Sequence, residues 1–245
     1  MRLIPLCLTL LLAACASTPP AAPEISDAFR SQGFQPPPAG ASLTLLPPQE
    51  TQYEELRAGA ELLHKQLQKR LTAAGWKVVT LKRDDYLRQW KQEAEAVGGV
   101  VQPDSGEFKD KEYVQALAAL LRKSCEETQC ALLIDSRLVI RTAEISGNEM
   151  RWDGQRRLHG EALPKGAPAQ TYAISIELSG IQPDGALGFR HYGGAVLPPQ
   201  YGMAELQNRK PAPMRWNDAD IAAGLDIALR PLLEKPGRTE ARPRD

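Results

Sequence analysis

ALLIDSRLVIRTAEI, residues 131–145, is the stretch on which the reading of the fold turns. It is rich in aliphatic and β-branched residues and holds neither glycine nor proline, so it predicts one long strand. Ser146-Gly147-Asn148 is a turn signal, and residues 149–159 are expected to return as the partner strand. Residues 171–181 alternate, with Ile174, Ile176 and Leu178 on one side and Ser175, Glu177 and Ser179 on the other. Pro183-Asp184-Gly185 should turn that strand into another over 186–192.

Toward the N-terminus the period changes from two to that of a helix. Leu56, Ala60, Leu63, Leu67, Leu71 and Ala74 recur at steps of three and four, which predicts a helix over 53–74 with one apolar stripe, stopped by Gly75. A short β-prone run, 42–46, precedes it and a strand over 76–81 follows. Asp84 is expected to cap a second helix that closes at Gly98-Gly99, and a third helix is expected over 110–124. A last helix over 218–233 starts where Asn217 and Asp220 have capping-box-like spacing. The order β-α-β-α-α, then hairpins, then α, predicts an α+β fold, a mixed or mainly antiparallel sheet with helices packed on it. Residues 42–235 form the expected single domain, and 236–245 a polar tail.

Composition narrows the function classes. Thirty basic residues balance 30 acidic ones, and charged residues make up 24%. No strong global field exists to draw nucleic acid or an anionic surface, and nucleic acid is not an expected partner. Histidine is scarce, with only His64, His159 and His191, which limits acid–base and metal chemistry.

The chain begins Met1-Arg2, a short positive region, and continues with an almost wholly apolar run over 3–12. The run is too short to cross a bilayer core of roughly 30 Å as a helix and suits the apolar part of a secretory signal. Leu12-Ala13-Ala14-Cys15 closes it. These four residues resemble, position by position, the lipobox of bacterial lipoproteins: an aliphatic residue, two small residues, then the cysteine. The resemblance implies that 1–14 are a cleaved signal peptide and that Cys15 carries diacylglycerol, with its new amine acylated as well. Ala16 stands where an aspartate commonly retains such proteins in the inner membrane, which favours the outer membrane. Residues 16–41 hold Pro19, Pro20, Pro23, Pro36, Pro37 and Pro38 and read as a tether, with a short helix expected over 25–34.

In element order alone, residues 42–233 are also similar to the TolB N-terminal-domain-like envelope proteins, which include the curli secretion lipoprotein and lipoprotein activators of penicillin-binding proteins. No motif is matched residue by residue, so the resemblance carries over no functional residue.

A lipoprotein's folded part faces the periplasm, where disulfides persist, so Cys125 and Cys130 are expected to be bridged. Within a continuous helix, residues five apart cannot bond, so the third helix must end near Cys125. The Cys-x-x-Cys spacing of redox pairs is absent, and no neighbouring His or Cys completes a metal site.

His191-Tyr192-Gly193-Gly194 invites comparison with a lipase oxyanion loop, but no Gly-x-Ser-x-Gly elbow accompanies it, and a strand end turning at paired glycines is the plainer reading. Adjacent Asp84-Asp85 are helix-start charges rather than a catalytic pair, and phosphate-loop and zinc motifs are missing. Trp76 and Trp90 are expected to pack in the core. Trp152, flanked by Arg151 and Asp153, is the aromatic expected at the surface, and with Arg151 forms the candidate binding surface. Arg137, Arg141, Arg151, Arg156 and Arg157 could share one exposed face that meets solvent or an anionic partner. The expected function is a non-catalytic, membrane-anchored accessory factor that binds an envelope protein and needs no cofactor. A peptidoglycan- or glycan-binding module is the alternative, and a hydrolase is third.

Overall fold

The hydrophobic stripe of the first predicted helix finds its counterpart in a sheet of eight strands. A computed structural model describes residues 27–49, 54–158, 169–197 and 215–234. Cys15, the signal peptide, most of the tether, His159 and the polar tail lie outside them. The strands are β1 (Phe29–Arg30), β2 (Ser42–Leu45), β3 (Lys77–Thr80), β4 (Leu132–Ser146), β5 (Glu149–Trp152), β6 (Gln155–Leu158), β7 (Gln170–Ile181) and β8 (Leu187–Val196). The helices are α1 (Glu54–Ala73), α2 (Arg83–Ala96), α3 (Asp110–Thr128), α4 (Asp218–Ala228) and the short α5 (Arg230–Leu233). The spatial order is β1-β8-β7-β4-β2-β3, with β5 and β6 leaving the end of β4 as a side hairpin.

The sheet is mixed. β2 runs parallel to both β3 and β4, while β4, β7, β8 and β1 are antiparallel neighbours. The parallel part demands crossovers, and they go both ways: α1 carries the chain from β2 out to β3, and α2–α3 carry it back past β2 to β4. Right-handed crossovers in opposite directions place their helices on opposite faces. On the first face, Leu63, Leu67 and Leu71 of α1 and Ile221 and Leu225 of α4 close over Leu43, Leu45, Ile134, Ile176 and Leu178. On the second face, Leu121 and Cys125 of α3 pack with Leu46 and Leu133.

Local chemistry explains the helix ends. Gly75 adopts φ +95°, and Gly98 and Gly99 both sit at +82°, which a side chain tolerates poorly. Asn217 caps α4, its side chain accepting from the Asp220 amide at 2.8 Å. Asp84 does not cap α2: the helix starts one residue earlier, at Arg83, and Asp84 lies inside its first turn, beside the dipole's positive end.

Cys125 and Cys130 are bridged, with Cα atoms 4.9 Å apart. α3 nonetheless runs three residues past Cys125, to Thr128. The reconciling feature is Gln129, which adopts the left-handed conformation at φ +51°. The Cys130 amide then donates to the Cys125 carbonyl and the Gln129 amide to that of Glu126, a Schellman stop. That motif brings together the two positions the sulfurs join. Removing the bridge by Cys125→Ser with Cys130→Ser is expected to lower stability by about 2 kcal/mol, the chain-entropy value for so short a loop. Urea unfolding of the two forms measures it, and equal midpoints would show that the Schellman hydrogen bonds alone hold the turn.

Two expectations about the start of the domain are corrected. Residues 27–34 hold no helix; Phe29–Arg30 form the edge strand β1 on β8. The segment expected to be tether joins the sheet edge at Phe29–Arg30 and enters the core at Phe34. Phe34 is buried against Phe189, with ring centroids 5.3 Å apart. The Trp76 indole, in the core as expected, donates to the Pro37 carbonyl at 3.1 Å. The reason is room: a Cβ on Gly188 would sit 2.7 Å from the Phe34 ring.

Residues 149–159 do not return as one partner strand. β5 pairs with only the last three residues of β4, then turns at Asp153-Gly154 into β6. Both turn residues have positive φ, +34° and +77°, as a two-residue hairpin turn of the primed kind requires.

Candidate functional site

The second face of the sheet carries the charged residues, and their order follows from strand register. Leu133, Ile181 and Leu187 form one cross-strand row; Asp135, Ser179 and Arg190 form the next; Arg137, Glu177 and Tyr192 the third. α3 covers only the apolar end of this face. Over the two polar rows lies a cleft of about 650 Å³. Leu46, Pro47, Pro48 and Gln49, the chain leaving β2, form one rim, and α2 and α3 form the wall. This is the end of β2 at which the crossovers diverge, a common place for a ligand crevice in sheets of this kind.

The floor is a network of paired charges. Glu177 is buried and accepts from Arg137 at 2.5 Å, and the Arg190 Nε lies 3.4 Å from the same carboxylate. Nε of Arg137 and Nε of Arg190 are shielded from solvent and have no hydrogen-bond partner among the described residues. Gln49 donates to both carboxylate oxygens of Asp135, at 3.2 and 3.1 Å. Burial pushes the Asp135 carboxyl above the usual range; Arg137 and the Gln49 hydrogen bond work against that shift, and Glu177 adds to it. Arg83 donates to the Pro48 carbonyl at 3.0 Å, holding α2 to the rim.

The wall is aromatic. Trp90 and Tyr113 pack edge to face with centroids 5.4 Å apart, and Phe108 extends the chain at 5.8 Å from Tyr113. Tyr86 also lines the cleft, and its hydroxyl is pushed up to about 12 by burial, then by Asp135 and Tyr113. It is therefore a neutral O–H donor at physiological pH. α2 contributes no buried residue. Trp90, expected in the core, is a cleft residue, and Leu87 is 47% exposed at the rim.

A pH test follows from Asp135. Its folded pKa is raised, so the folded protein holds that proton more tightly than the unfolded chain. Stability therefore falls as pH rises from the unfolded value through the folded one, and the deficit is complete above both. Asp135→Asn is expected to melt above the wild type at pH 7, with the gap closing below about pH 4. A variant that melts lower at pH 7 would give the Gln49 contact the larger weight.

The residues singled out in the sequence are placed elsewhere. Trp152 is buried, not a surface aromatic; its Nε1 approaches the Ile174 carbonyl at 3.4 Å, beside Ala143 and Ala173. Arg151 pairs with Glu149 and is not among the cleft residues, and with Trp152 buried the two do not form a shared binding surface. The five arginines do not share an exposed face either. Arg137 binds Glu177. Arg141 forks onto Asp153 at 3.1 and 3.3 Å, reaches Asp27 at 3.3 Å and stacks over Tyr192. Arg151 and Arg156 both hold Glu149, and Arg157 holds Asp220.

The glycine pair 193–194 does not end a strand. β8 runs on to Val196, and the two glycines admit neighbours from opposite faces: a Cβ on Gly193 would meet the α4 backbone, and one on Gly194 would meet Trp152 and Gln155. His64 and His191, both held below the usual range by burial, do not line the cleft. Among the described residues no group of three or more His, Cys, Asp or Glu could hold a metal ion, and no helix is long and apolar enough to cross a membrane.

The cleft residues could not be gathered from sequence alone. Asp135, Glu177 and Arg190 come from three strands, and Trp90 and Tyr113 from two helices. The one available signal was Leu46-Pro47-Pro48, a strand stopped by paired prolines, which marks where a parallel strand ends.

The sequence matches no protein family model and no curated protein.

Proposed function

We propose that this protein is a lipid-anchored factor of the bacterial envelope, held by Cys15 and facing the periplasm, with the outer membrane favoured. Its folded domain acts by binding an envelope partner rather than by catalysis. The observation that carries the binding reading is the open cleft of about 650 Å³, whose floor is a network of paired charges and whose wall is aromatic. Cavities of roughly 300–1,000 Å³ with an apolar wall and a few placed polar groups are where ligands usually bind. The lipobox resemblance supports the anchor, and the Cys125–Cys130 bridge supports an oxidising compartment.

Two measurements test this reading. Mass spectrometry of the N-terminal peptide should find diacylglycerol on Cys15; an unmodified cysteine would end the anchor. A photo-crosslinker at Leu87 on the cleft rim should yield one discrete adduct in intact cells. The same probe at Asp226, on α4 across the sheet, should not, and equal labelling at both sites would reject the cleft as the contact.

A second reading is favoured by the Trp90–Tyr113 pair, since sugar faces stack on such rings. Cosedimentation with purified cell wall, lost in Trp90→Ala, is its expected result.

A further inference from the structure

We infer that the open edge of β4 over residues 135–143 is a docking slot for a short extended segment of another protein, which adds there as a strand with an apolar residue at every second position. This goes beyond the cleft and needs neither the cleft nor the lipid anchor.

The slot follows from where the neighbouring strands stop. On one side β7 pairs with β4 from Leu133 to Glu144. On the other side β2 pairs only as far as Ile134, and β5 begins only at Glu144. Among the described residues no strand lies on that side of the nine between them, 135–143. β2 ends for a local reason. The Leu46 amide donates to the Ile134 carbonyl, and Pro47 and Pro48 then have no N–H to continue the ladder. Backbone direction alternates along a strand, so Leu138, Ile140 and Thr142, like Ile134, turn an N–H and a C=O to the open side. Sheets usually blunt such an edge by shortness, proline or lysine. β3, at the outer edge, has four residues with Lys77 among them, and β1 has two. The stretch RLVIRTA, 137–143, uses none of these devices. Its two arginines are held on the second face, Arg137 by Glu177 and Arg141 by Asp153.

The ends of the slot decide what fits. A second copy cannot offer its own β4, because that strand is 15 residues long and would run into β2 at one end and β5 at the other. A contact limited to this edge also falls well short of the ~1,200–2,000 Å² that holds two folded chains together. Residues 159–168 and 198–214 of this chain hold six prolines and no valine, isoleucine or threonine, and the tether carries Pro19, Pro20 and Pro23, so their sequences do not suit the slot. An extended segment of another chain does. Its backbone meets the open groups of β4, as in strand addition to a sheet edge. Its alternate side chains meet the first face, where Leu138 packs partly buried against the core and Ile140 is 46% exposed. Those two neighbours set the apolar alternation.

The test uses the full-length protein in detergent micelles. The probe is acetyl-Ala-Ile-Ser-Ile-Glu-Leu-Ser-amide, the sequence of residues 173–179, which pairs with β4 along its other side. In the free protein, hydrogen exchange should find the Leu138, Ile140 and Thr142 amides fast and those of Val139 and Arg141 slow. The probe should bind saturably and protect the three fast amides. Two forms of it, N-methylated on alternate residues, should then differ. The form whose methyls face β4 should bind about tenfold or more weaker, the factor expected for losing ladder hydrogen bonds, and the other about as well as the parent. Ile140→Pro removes an amide that points to the slot and not to β7, so it should abolish binding while the fold stays intact. Should that variant fail to fold, the methylated pair, measured on the wild type, decides. Slow amides at Leu138, Ile140 and Thr142 in the free protein, no binding up to millimolar probe, or equal binding by the parent and both methylated forms overturns the inference. Self-association abolished by Ile140→Pro would give the edge to a second copy and overturn it as well. The Leu87 crosslink does not involve this edge, so it reports on the cleft separately.

Discussion

Gly193→Ala is expected to be the most damaging single methyl in this protein. A Cβ at that position would lie 2.0 Å from the Gly224 carbonyl oxygen and 2.9 Å from the Ala228 amide nitrogen. Both are backbone atoms of α4, so no side-chain rotation relieves the clash, and the helix must lift from β8. Overpacking usually costs about 1–3 kcal/mol, and this case belongs at or above the upper end because the obstacle is rigid. Total stabilities are about 5–15 kcal/mol, so the variant should unfold at much lower urea. Gly224→Ala provides the contrast. Its Cβ would meet Ile176 Cδ1 at 2.9 Å, Ala195 Cβ at 3.1 Å and the Gly193 carbonyl at 3.2 Å. The nearest of these is the tip of a flexible side chain, so the loss should be smaller. A Gly193→Ala protein within about 1 kcal/mol of wild type would show that α4 is not seated as described.

Trp152→Ala should cost about 3–5 kcal/mol, the range for removing a large buried aromatic. The side chain is 3% exposed and fills the space that Gly194 leaves open on the second face of β8. It also anchors the side hairpin. Next to it Asp153 accepts from Ser175 at 2.6 Å and from Arg141, so hairpin, β7 and β4 are tied at one point. Losing the indole should free β5–β6 and raise amide exchange there, while the cleft rows of Asp135 and Arg137 keep their register. Urea unfolding and hydrogen exchange measure the two effects. If the variant kept full stability but lost affinity for cell wall, Trp152 would be a surface aromatic and its burial here would be wrong.

These residues show which parts of the molecule could be read in advance. The spacing of Leu56, Leu63, Leu67 and Leu71 located α1 to within a residue, because a helical stripe encodes its own period. The alternation of residues 174–179 located β7 and sorted its faces correctly. Asn217 was visible as a cap, and the bridged cysteines followed from their spacing and the expected compartment. In each case the interaction lies within a few residues of chain.

The misreadings have one cause. Period two tells which side chains share a face but not what covers that face. Ser175, Glu177 and Ser179 are all buried: Arg137 and Arg190 come from neighbouring strands to pair with Glu177, Asp153 of the β5–β6 turn bonds Ser175, and Ser179 lies under the cleft. Trp152 looked like a surface residue between charged neighbours, yet its hairpin folds back onto Gly194. Phe34 looked like part of a tether, yet Gly188 leaves room for it.

Local sequence therefore determined most of the elements, the Asn217 cap, the disulfide and the α+β class, since each depends on contacts between near neighbours. Only the tertiary structure decided the paired rows of charge, the glycine contact between β8 and α4, and the cleft with its aromatic wall. Strand register and helix placement bring those groups together from distant parts of the chain, Leu46 and Arg190 lining one cleft, and no local pattern records such a meeting.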